Sequence, residues 1–92
     1  MLQMKINDAI TYLSISRINN SIKTELLGIL KRAKNLDFKN LKSDISKVEG
    51  YLIKSTMDRD AKQDLLNLMT YYLNPILNIV NTKEVYNYGS NS

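Results

Sequence analysis

The chain has 92 residues, 13 Lys and Arg against 9 Asp and Glu, and a net charge of +4. A chain this short buries roughly 60% of the surface its unfolded form exposes, enough for one core and little else. It contains no Cys and no His, which excludes a disulfide framework, thiolate metal sites, Cys–His pairs and Ser–His–Asp triads.

The first segment, from Leu2 or Gln3 to Ser16, places Leu2, Ile6, Ala9, Ile10 and Leu13 on one helical face. Lys5, Asp8, Thr11 and Ser14 fall on the others. Arg17 follows where a cation suits the negative end of a helix dipole. Asn7 and Asp8 interrupt the opening MLQMKINDAI, so it does not read as a secretory leader, and a cytoplasmic location is expected. Asn19, Asn20 and Ser21 then break the pattern and offer a cap for the next helix.

The second helix is expected from about Ser21 to Lys34, with Ile22, Leu26, Ile29, Leu30 and Ala33 inward. Gly28 lies inside it at a cost of about 1 kcal/mol relative to Ala, which suggests close approach of a neighbouring helix. Lys31, Arg32 and Lys34 crowd its last turn, where cations compensate the dipole. With Lys23 they form a candidate basic face toward nucleic acid or an anionic membrane surface, weighed against an ordinary solvated surface.

The third helix is expected after a very short link, capped by Asn35 or Asp37. Phe38, Leu41, Ile45, Val48 and Leu52 are spaced three, four, three and four apart, a heptad seam. Asp44 and Lys47 are placed to pair within it. Ser55 and Thr56 end it, and so short a link between second and third helices implies antiparallel neighbours.

The fourth helix opens at Thr56 or Asp58, with Asp58, Asp60 and Asp64 near its positive end. These acids read as dipole partners. DRDAKQDLL has neither the turn Gly nor the distal carboxylate of a calcium loop. From Leu65 to Thr82 there is no charge. Leu65, Leu68, Tyr72, Ile76 and Ile79 form one stripe, flanked by Leu66, Leu73 and Val80. Asn67, Tyr71, Asn74, Asn78 and Asn81 form another. Those asparagines and Pro75 argue for burial in a bundle rather than a membrane span. Pro75 removes a backbone donor and strands the carbonyl of Tyr71, so the helix should kink or split there.

The expected architecture is an all-α antiparallel four-helix bundle over residues 1–81, followed by a polar tail over 82–92. A three-helix domain with a last segment split at Pro75 is the alternative. No Gly-rich phosphate loop is present, and neither an enzyme, a metal nor a cofactor is expected. Tyr86 and Tyr88 in the tail are candidate partner contacts, since tyrosine is enriched at interfaces.

A basic four-helix pattern of this length, with ELLGILKRAKNLD (Glu25 to Asp37), the short link after it and the Tyr-Gly tail VYNYGSNS (Val85 to Ser92), resembles the immunity proteins of pediocin-like (class IIa) bacteriocins. The resemblance implies a non-enzymatic cytosolic protein that shields a producer cell from its own bacteriocin. Its partner would be a sugar-permease receptor complex, the mannose phosphotransferase permease, and its C-terminal half would set which toxin is resisted. Carried onto this chain, Asn78, Asn81, Lys83, Tyr86 and Tyr88 would be the discriminating residues. The basic face would hold the protein near the anionic inner leaflet. The competing reading is a helical accessory or inhibitor module of phage, plasmid or replication machinery, binding protein or nucleic acid through the basic half.

Overall fold

The computed structural model describes the backbone of residues 2–91 and the side chains of residues 2–82. All its regular structure is helical: α1 (Leu2–Ile15), α2 (Asn20–Lys34), α3 (Leu41–Lys54), α4 (Arg59–Leu68), a π-helical turn (Met69–Leu73) and α5 (Asn74–Asn91). The last three run on without a break, so four rods pack as a ring: α1 on α2, α2 on α3, and both α1 and α3 on the last rod.

Bonds between neighbours fix their directions. Gln3 Nε2 near the start of α1 donates to the carbonyl of Lys34 at the end of α2 (3.3 Å), while Lys23 Nζ near the start of α2 donates to Ser16 O beyond the end of α1 (3.0 Å). Arg32 at the end of α2 pairs with Asp44 in the first turn of α3, and Tyr51 near the end of α3 donates to Glu25 near the start of α2. Arg17 after α1 reaches Asp60 at the start of α4. Every such pair joins one helix's end to the other's beginning. These neighbours are antiparallel.

The core follows the expected stripes of α1 and α2, whereas Phe38 and Leu52, the ends of the expected α3 seam, are only half-buried. Ile6, Ala9 and Leu13 of α1, Leu26 and Ala33 of α2, and Leu65, Leu68, Leu73 and Ile76 of the last rod are fully enclosed. No polar or charged side chain is buried among the described residues, so the interior contains no polar group that must find a partner.

Three expectations need correction. The link from α2 to α3 is not very short: α3 starts at Leu41 with Asn40 at its cap position, and Phe38 precedes it. The reason is the way α2 stops. Leu36 adopts the left-handed conformation (φ 64°), with Asp37 N–H bonded to Arg32 O (2.9 Å) and Leu36 N–H to Ala33 O (3.0 Å). This is a Schellman closure, usually built on Gly; a leucine in that conformation costs about 1–2 kcal/mol. Second, Asp44 binds Arg32 across the helix gap rather than Lys47 within its own helix. Third, no helix crowds Gly28: a Cβ there would meet only Arg32 Nη1, at 3.5 Å.

The largest adjustment surrounds Pro75. A proline inside an α-helix clashes with the carbonyl four residues back and leaves it without a donor. Here the preceding turn widens to i→i−5 bonding, with Asn74 N–H reaching Met69 O. Pro75 thereby becomes the second residue of α5, in the first turn, where a missing donor is harmless. Burial along the rod also differs from the expected stripe at two neighbouring positions. Leu73 and Val80 enter the core at 0% and 4% exposure, while Tyr72 and Ile79, expected there, are only half-buried.

Candidate interaction surface on the last rod

The uncharged rod has two unlike sides. Its inner side fills the core through Leu65, Leu68, Met69, Leu73, Ile76 and Val80. Its outer side exposes Tyr71 (62%), Asn74, Asn78 and Asn81, as the helical spacing predicts. Thr82 Oγ1 donates back to the backbone carbonyl of Asn78 (2.8 Å), a residue whose side chain is used in no hydrogen bond among the described residues. Such a face is rich in donors and acceptors and carries no charge. It suits contact with a partner's polar groups more than long-range electrostatic capture. The side chains of Lys83, Tyr86 and Tyr88, and with them the rest of the expected tail surface, lie outside the described residues.

Asn67 belongs to the amide stripe by spacing but not by role. It is half-buried and donates to Tyr12 Oη (3.3 Å), while Gln63 Nε2 donates to its Oδ1 (2.9 Å). Tyr12 in turn donates to Asp64 Oδ1 (3.4 Å) and packs its ring on Tyr72 at 5.4 Å between centroids. The other oxygen of Asp64 accepts the backbone N–H of Arg17 (2.8 Å), and the Arg17 guanidinium meets Asp60 at 2.6 Å. The acids at the start of α4 therefore fasten α1 to the last rod, besides lying at a helix N-terminus. Periodicity alone did not disclose this seam. The available signal was a polar residue, Tyr12, placed beside the apolar stripe of α1.

The basic face does not assemble. Lys23 stands near the start of α2 and closes the carbonyls of Ser14 (3.5 Å) and Ser16 (3.0 Å) at the end of α1. Arg32 is held by Asp44 at 3.0 Å. Lys31 and Lys34 remain exposed in the last turn, more than two turns from Lys23. Two of the four cations thus serve the fold.

Between α2 and α3 lies a cavity of about 280 Å³ bounded by Glu25, Gly28, Arg32, Asp44, Val48 and Tyr51. Its ends are bridged by Arg32–Asp44 and by Tyr51–Glu25. The hydrogen bond to Glu25, some desolvation and the carboxylate's charge raise the Tyr51 phenol above its ordinary value. Among the described residues no group of acidic side chains could hold a metal ion. No described helix is long and apolar enough to cross a membrane. No family model matches the chain, and no curated protein or solved structure matches it.

Proposed function

We propose that the chain is a bacteriocin immunity protein: a non-enzymatic cytoplasmic bundle that protects the cell producing the toxin by binding at the cytosolic side of the toxin's membrane receptor. The observation that carries this reading is the two-sided last rod, buried along one side and exposing Tyr71, Asn74, Asn78 and Asn81 along the other. An exposed amide face on a helix whose other side is packed into the core is a ready contact for a protein partner, because the backbone that carries it is already ordered before binding. In this role Lys83, Tyr86 and Tyr88, which follow in the sequence, add to the contact, and the toxin or the toxin-engaged receptor reads them together with the face. A nucleic-acid role through the basic half is less well supported, since Lys23 and Arg32 are engaged within the bundle.

The test is survival. Expressing the chain in bacteriocin-sensitive cells should protect them against at least one class IIa toxin. Asn78→Lys combined with Asn81→Lys should abolish that protection while leaving the helical circular dichroism unchanged. Equal killing across a broad toxin panel, with and without the protein, would overturn the proposal.

A further inference from the structure

A second surface lies where α3 meets α4. Leu52, Arg59, Lys62, Gln63 and Leu66 line a groove of about 330 Å³. On α4 the residues at 59, 62, 63 and 66 form one helical stripe, with Leu52 of α3 facing them. The groove has an incompletely covered apolar floor. Leu66 is 46% exposed and Leu52 half-buried, and Ile53, the next residue, is 80% exposed.

Its charge is one-sided. Within α4, Asp60 and Asp64 turn toward α1, where Arg17 and Tyr12 hold them. Arg59 and Lys62 turn toward the groove, and neither has a carboxylate within ion-pair distance among the described residues. No acidic side chain lines the groove. One helix has thus sorted its acids to the bonded seam and its bases to an open apolar one.

We infer that this groove is a docking site for an acidic amphipathic helix of a partner protein, seating an apolar side chain over Leu52 and Leu66 while its carboxylates pair with Arg59 and Lys62. Helix-in-groove recognition uses anchors at i, i+3 and i+4, which match the spacing of the lining residues on α4. The site stands apart from the amide face and does not depend on the immunity reading.

The test uses a short helical peptide bearing Leu and Glu at that spacing, titrated into the 15N-labelled protein. A second peptide has Lys in place of Glu. The acidic peptide should shift the amide signals of Leu52, Arg59, Lys62 and Leu66. Its affinity should fall as ionic strength rises from about 0.1 to about 1 M, over which the screening length shrinks from about 10 to about 3 Å. Arg59→Glu with Lys62→Glu should weaken it at least about tenfold and bring on binding of the Lys peptide. Lys31→Glu with Lys34→Glu makes the same change in net charge elsewhere and should leave binding within about twofold. Leu66→Ser should weaken it without unfolding the protein, since Leu66 is exposed. No binding, or equal losses in the two double variants, would overturn the inference. So would binding to phosphatidylglycerol vesicles, lost in the groove variant, with none to the peptide.

Discussion

The last rod has two neighbours and treats them differently. Against α1 it makes a bonded seam: Asp60 to Arg17, Asp64 to the Arg17 backbone and Tyr12, Asn67 to Tyr12, and Tyr72 against the Tyr12 ring. Against α3 it leaves an apolar groove floored by Leu52 and Leu66. The buried residues of α3, Leu41, Ile45 and Val48, all lie in its first two turns, whereas its later apolar residues, Tyr51, Leu52 and Ile53, are only partly covered or exposed. The last rod is thus bonded to α1, while the second half of α3 leaves its apolar residues only partly covered. Stability should concentrate on one side of the last rod and surface available to partners on the other.

Truncation separates the two sides most strongly. Leu13→Ala in α1 empties a fully enclosed site and should cost about 2–5 kcal/mol in denaturant unfolding, whereas Leu52→Ala in α3 should cost about 1 kcal/mol. Equal costs would erase the distinction. A step smaller is Asp64→Ala, which deprives Tyr12 and the Arg17 N–H of their acceptor and should cost about 1–3 kcal/mol. Arg17→Ala, which removes an ion pair whose side chains are more than two-thirds exposed, should cost under about 1 kcal/mol.

Changes at Gly50 and Leu36 should shift stability the other way. Nothing lies within 4 Å of a Cβ at Gly50, so Gly50→Ala should raise stability by about 1 kcal/mol through helix propensity. Leu36→Gly should give a similar gain by relieving the left-handed leucine. The smallest effect concerns pH. The Tyr51 phenol holds its proton more tightly when folded. Its contribution is therefore complete below the ordinary tyrosine value near 10 and fades as pH rises through the folded value. The wild type should lose stability relative to Tyr51→Phe only above about pH 10; a difference that grew below that pH would reverse the sign.

Much of the fold was legible because it depends on periodicity. The stripes of α1 and α2 and the exposed amides Asn74, Asn78 and Asn81 follow from 3.6-residue spacing alone. What spacing missed depends on local exceptions. Leu36 in a conformation that favours glycine moved the start of α3, the turn before Pro75 widened to take in an extra residue, and Leu73 and Val80, flanking positions by spacing, are buried where Tyr72 and Ile79 were expected. Pro75 announced a disturbance, but not whether the helix would bend or take in an extra residue. The polar pairs Arg17–Asp60, Arg32–Asp44 and Glu25–Tyr51 join residues 43, 12 and 26 positions apart, separations at which one-dimensional periodicity has no reach. The candidate surface was readable as an amide stripe, and the groove beside Leu66 was not, since it exists only when α3 and α4 are set side by side.

The seating of the last rod is the feature on which its inner and outer surfaces both depend. Single cysteines at 76, 78, 79, 80 and 81 in this cysteine-free chain, timed against a thiol reagent under native conditions, read it directly. Labelling should be slow at positions 76 and 80, intermediate at 79 and rapid at 78 and 81. Protection at 79 with rapid labelling at 80 would mean that the rod is rotated from this seating and would overturn it.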